Sequence, residues 1–183
     1  MKYNLTIIAT ALLLSSLLTA SSCKKDKTPT TEEQLPPETQ TGEFTIGFKV
    51  DGIIYSAKGK GGLLADQHMY YSYTADSTFN IGAGSSTNKK FSLDINFKGN
   101  SLGYVNIPNP ATFYDNSNGT IPGSSNTYST NTTNSGNIII KYFNGTFYPG
   151  NAGTILSGTF DFYAKNGNGK VIHITEGRFD IGR

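Results

Sequence analysis

The chain has no tryptophan, one cysteine, two histidines and two methionines in 183 residues. A single cysteine excludes an intrachain disulfide and a cysteine-based zinc site, so any core must hold by packing alone. Charge is sparse and balanced, with 15 Lys and Arg against 13 Asp and Glu. No cationic run is long enough to neutralise a line of phosphates, and nucleic acid is not expected as a partner. Hydrophobic residues make up 36% of the chain, below the usual globular share.

Phenylalanine and tyrosine offset that shortage. There are 11 of each, and every ring buries a large apolar area. The 21 glycines, together with many Asn, Ser and Thr and no long Ala/Glu/Leu stretch after the start, favour short strands joined by turns over helices.

Lys2 precedes a 14-residue apolar segment, residues 5–18 (LTIIATALLLSSLL), and the small residues Thr19, Ala20, Ser21 and Ser22 lead from it into Cys23. A membrane span needs about 20 apolar residues, so this run has the proportions of a signal-peptide core. The residues before Cys23 resemble the lipobox of bacterial lipoproteins, although Ala20 stands where leucine is more usual. That resemblance implies a diacylated thiol as the first mature residue. Each buried CH₂ contributes about 0.8 kcal/mol, so two or three acyl chains hold a protein in a bilayer where one binds only reversibly. Lys24 is not the Asp that commonly retains lipoproteins in the inner membrane. The cluster Lys24, Lys25, Asp26, Lys27 resembles the export signals of surface lipoproteins in Gram-negative bacteria. The expected address is the outer membrane, lipid-anchored and facing the cell surface. Residues 28–42 (TPTTEEQLPPETQTG) hold three prolines, three glutamates and one leucine, the composition of an extended, flexible linker. The expected organisation is therefore a signal peptide over 1–22, a lipidated cysteine and linker over 23–42, and one domain over 43–183.

Within the domain the pattern has period two. Phe44, Ile46, Phe48 and Val50 alternate with polar residues, Asp51-Gly52 is a strong hairpin signal, and Ile53, Ile54, Tyr55 and Ala57 make the return. Further strands are expected at 69–74, 79–83, 91–97, 102–107, 138–143 and 156–164. Asn166 to Gly169 turns the chain into 171–175, and Glu176-Gly177 turns it again into 178–181. Nine or ten such strands without a helical window after residue 23 predict an all-β, antiparallel β-sandwich, with a small closed lipocalin-like β-barrel as the alternative. Residues 116–137, almost entirely Asn, Ser, Thr and Gly, form the longest connection, and Tyr128 at its centre is a candidate for a short edge strand that splits it.

The first hairpin (FTIGFKVDGIIYSAKG), a Tyr-x-Thr with a later Ser-Gly, and the ending SGTFDFYAKNGNGKVIHITEGRFDI resemble a family of small Gram-negative surface lipoproteins that carry a domain of unknown function. The resemblance implies the fold and the address, and supplies no catalytic residue.

The residues themselves promote little chemistry. His68 and His173 are the only imidazole bases for a nucleophile, no Gly-x-Ser-x-Gly elbow occurs, and Gly82-Ala83-Gly84-Ser85-Ser86 reads as a turn after a strand. Gly59-Lys60-Gly61-Gly62 lacks the order that wraps a phosphate. Of the nine acids of the domain, Asp51 and Glu176 fall in expected turns, and Asp94, Asp161 and Asp180 on strand positions expected to face solvent. No cofactor and no metal site is expected. Tyr70 is expected outside and Tyr71 and Tyr73 inside, while Tyr114 and Tyr128 beside the long connection are the candidate ligand-contacting residues. The expectation is a non-enzymatic binding or structural domain that takes a glycan or protein ligand. The rivals are a small envelope-glycan hydrolase with paired carboxylates and a barrel holding a small apolar ligand.

Overall fold

Phe44, Ile46, Phe48 and Val50 line one side of the first strand, β1 (Thr45–Val50), or its entry, and all four are buried. Asp51 and Gly52 turn the chain with φ of 49° and 86°, the left-handed pair a two-residue type I′ hairpin demands, and β2 (Ile53–Lys58) returns in register with Val50 opposite Ile53. The computed structural model describes residues 34–60, 66–73, 78–87, 89–98, 102–106, 111–117, 122–123, 125–131, 136–144 and 154–182. The expected signal peptide, Cys23 and the first part of the linker lie outside the described residues.

Among those residues every regular element is a strand. After the first hairpin come β3 (Gln67–Tyr73), β4 (Thr78–Ser85), β5 (Phe91–Lys98), β6 (Gly103–Asn106), β7 (Thr112–Asp115), β8 (Thr127–Ser129), β9 (Gly136–Asn144), β10 (Ile155–Asn166) and β11 (Val171–Gly182). They form one antiparallel sheet in the order β2-β1-β11-β10-β8-β7-β5-β4-β3, with β9 paired to the first part of β10 and β6 paired to β9. The two ends of that path meet, because the Met69 N–H donates to the Gly59 carbonyl at 3.0 Å. The fold is thus all-β, as expected, and the sheet is nearly closed and barrel-like, the second of the two arrangements the strand pattern allows.

Phe48 of β1 stacks on Tyr55 at 5.6 Å and meets Phe91 and Phe113 edge-on at 5.4 and 5.9 Å, so opposite walls pack directly through aromatic rings. Phe97, Phe162, Ile81, Leu93 and Ile174 are also fully buried.

The structure differs from expectation in four places. There are eleven strands among the described residues, and β8, centred on Tyr128 as anticipated, lies between β7 and β10 rather than at an edge. Gly82 and Gly84 continue β4 instead of turning, because the rings of Tyr70 and His68 lie over them. A Cβ on Gly82 would fall 1.9 Å from the Tyr70 ring. Glu176-Gly177 is a bulge inside one continuous β11, which carries an extra residue between the positions paired to Gly47 and Lys49. Lastly, residues 34–42 of the expected free linker, with Glu43 after them, are seated on the outer face of the sheet. Pro36 rests on Gly47, where a Cβ would come within 2.3 Å of it. This strap explains why both faces of β1 are buried at Thr45 and Gly47.

Candidate functional site

The outward row of side chains runs straight across three strands: Arg178 of β11 pairs with Thr159 of β10, and Thr159 with Ile139 of β9. One step along, Asp161 pairs with Asn137. Glu38 of the strap and Glu176 of the bulge join these residues around an open groove of about 410 Å³. That volume lies in the range of small-ligand sites.

The groove is dense in both donors and acceptors. Lys141 binds Glu38, Lys49 Nζ lies 2.6 Å from Glu176, and Arg178 lies 3.8 Å from Glu176 while donating to the Pro36 carbonyl at 3.4 Å. Asp161 meets His173 Nε2 at 2.9 Å, and the His173 ring stacks on Tyr163 with centroids 3.9 Å apart. Tyr163 is 46% exposed, so an aromatic face adjoins the polar groove through Asp161 and His173. Glu176 holds a φ of 51°, a left-handed conformation glycine adopts without the cost a side chain incurs. Phe44 and Asp51 share this left-handed conformation, with φ of 53° and 49°.

Beneath the strap lies a smaller recess of about 90 Å³ that shares Glu38 and Arg178 with the groove. Ser157 lines it, is 1% exposed, and its hydroxyl has no hydrogen-bond partner among the described residues.

A second polar surface occupies the other side of the barrel. Tyr70, 45% exposed and outward as expected, lies over Gly82 and its hydroxyl binds the Asp94 carboxylate, while the His68 ring lies parallel to it at 6.4 Å. Burial lifts the Tyr70 phenol well above the usual tyrosine range, and the Asp94 hydrogen bond and charge add to it. Asn80 donates to Asn96 at 2.8 Å beside this pair.

The residues singled out from sequence are dispersed. Tyr128 is buried, its ring packed toward Phe113 at 6.3 Å, and it does not line the groove. Tyr114 stands half-buried on β7, opposite Ser92, and does not line the groove. Cys23 lies outside the described residues. Asp180 shares the outward face as expected but is 1% exposed, covered by the strap. Asp161 and His173 face outward and meet. The alternation over 159–161 and 178–181 does signal Thr159, Asp161 and Arg178 as outward; Ile139, inside the apolar run 138–140, and Glu38 carry no such signal. Among the described residues no group of three or more potential metal ligands occurs.

Comparison with known proteins found no matching family model, no matching curated protein and no matching solved structure.

Proposed function

We propose that the chain is a lipid-anchored domain of the outer-membrane surface, held through Cys23, that binds a glycan in the groove beside the strap without cleaving it. The observation that carries the ligand class is the convergence of Glu38, Asp161, Glu176, Arg178 and Asn137 on one groove with an aromatic face adjoining it. Vicinal hydroxyls each donate and accept, and they match a wall where carboxylates alternate with cations and amides. A purely anionic ligand would meet three carboxylates of its own sign, Glu38, Asp161 and Glu176, and a purely cationic one would meet Arg178. The lipobox-like run into Cys23 and the basic cluster behind it support the anchor and the address, as does the resemblance to surface lipoproteins.

Two experiments test the two halves. Purified protein applied to a glycan array is expected to bind a defined set of saccharides, and Arg178→Ala or Asp161→Asn is expected to weaken that binding roughly tenfold or more. No binding to any saccharide, or binding that both variants retain in full, overturns the glycan reading. In cells fed a clickable fatty acid, label on the wild type and none on Cys23→Ser is expected; label persisting on the variant overturns the anchor.

A second reading has one observation in its favour: three carboxylates line a single groove, as a glycoside hydrolase requires of two. Each is matched with a lysine or the His173 imidazole in the structure. New reducing ends released from a bound glycan, and lost in Asp161→Asn, would establish that reading instead.

A further inference from the structure

The recess beneath the strap is built around one buried hydroxyl. Ser157 shares the outward face of β10 with Thr159 and Asp161, so its side chain points toward the roof that residues 37–40 make. Its hydroxyl is buried there with no hydrogen-bond partner among the described residues. The roof is pinned beside it by a clamp. Asp180, paired across the strands with Ser157, accepts hydrogen bonds from the Thr39 hydroxyl at 2.6 Å and from the backbone N–H groups of Thr41, Gly42 and Glu43 at 2.9 to 3.2 Å. A buried hydroxyl left unpaired costs free energy, and a polar group seated in the recess removes that cost. The groove shares Glu38 and Arg178 with the recess, so a substituent of whatever lies in the groove is the group best placed to enter.

Size and charge restrict what that substituent is. A cavity of about 150 Å³ takes the six carbons of benzene, so one of about 90 Å³ takes roughly three or four heavy atoms. The cations at its rim are already matched, because Lys141 binds Glu38 and Arg178 lies 3.8 Å from Glu176. An anion on Ser157 would lie next to the Asp180 carboxylate, and a cation would meet Lys141 and Arg178. A neutral group is left, one that offers Ser157 a hydrogen bond and Pro37 a carbon surface. Of the common substituents on a sugar ring, a hydroxyl or hydroxymethyl is too small, and a carboxylate, a sulfate or an amine carries charge. An acetamido group has four heavy atoms, no charge, a carbonyl to accept from Ser157 and a methyl end. We infer that the recess is an acetamido subsite and that the ligand carries an N-acetylated amino sugar, an inference that rests on the groove binding a glycan.

The test uses the purified full chain on an array of matched saccharides that bear an acetamido, a hydroxyl or a free amine at one carbon, with uronic-acid counterparts alongside. The acetamido member is expected to bind roughly tenfold or more tightly than its hydroxyl counterpart. Ser157→Ala removes the hydroxyl, and Ser157→Val, with a residue that suits a strand, also fills the space. Both replace an unpaired buried hydroxyl by carbon, so both are expected to fold, to lose the acetamido preference and to bind the hydroxyl member as the wild type does. In the wild type, saturation transfer is expected to be strongest at the acetyl methyl protons. Equal binding of the acetamido and hydroxyl members means that the recess holds water alone and overturns the inference. So do a preference for the amine or the uronic acid, an acetamido preference that survives in both variants, and an acetyl methyl saturated less than the ring protons. Binding to no saccharide sinks the glycan reading, and this inference with it, and is distinct from a bound glycan whose acetyl group goes unread.

Discussion

The carboxylate of Asp180 accepts the backbone N–H of Gly42 at 2.9 Å, from 138 residues further along the chain. Its other donors are the neighbouring amides and the Thr39 hydroxyl, and the residue is 1% exposed. A buried carboxylate with no ion pair among the described residues persists because those donors replace its water. Asp180→Asn turns one acceptor into a donor facing donors. A fall in stability of about 1–3 kcal/mol is expected from denaturant unfolding, with strand content by circular dichroism unchanged. Stability equal to wild type would mean that the clamp carries no weight.

Phe48 is fully buried and touches rings from both walls of the barrel, Tyr55, Phe91, Phe113 and Phe160. Phe48→Ala leaves a cavity that its aromatic neighbours cannot all close. The expected loss is about 3–5 kcal/mol by urea titration. A loss below about 1 kcal/mol would show that the two walls do not pack through this ring.

Tyr70 holds its proton more tightly in the folded state than in the unfolded chain, where the ordinary value is 10.0. A raised folded value contributes stability that is complete below that pH and is lost as pH rises through it. Unfolding free energy is therefore expected to decline above about pH 10, and Tyr70→Phe is expected to flatten part of the decline. Tyr55, whose phenol is raised first by burial and then by Asp115, leaves the remainder. An identical slope in Tyr70→Phe contradicts the placement of the Tyr70 hydroxyl on Asp94.

Glu176→Gly relieves the left-handed backbone of the bulge and removes a half-exposed ion pair with Lys49. These effects oppose each other, and stability is expected to move by no more than about 1 kcal/mol in thermal melts. Saccharide binding is expected to fall. A variant that binds as well as the wild type would leave the strain at Glu176 unconnected to recognition.

Much of the fold was legible because it is local. Alternation from Phe44 to Val50 and from Leu156 to Ala164 names the buried face correctly, and Asp51-Gly52 names its own turn. The errors share a cause, which is contact between distant segments. Asp180 does face outward, as its alternation says, yet a strap that precedes it by 138 residues covers it. Gly82 and Gly84 look like turn residues until two rings from β3 lie over them. Glu176-Gly177 has the local preference of a turn, but pairing with β1 and β10 on both sides carries the strand through. The groove was not legible, because its walls come from the strap, β9, β10 and β11 at once.

Recognition at the groove is tested most directly by mapping backbone-amide chemical shifts while the labelled chain is titrated with a saccharide selected on the array. The largest changes are expected at Asn137, Ile139, Thr159, Asp161, Glu176 and Arg178, saturating together as one site. Changes centred on Tyr70, Gly82 and Asp94, with the groove silent, would contradict the account.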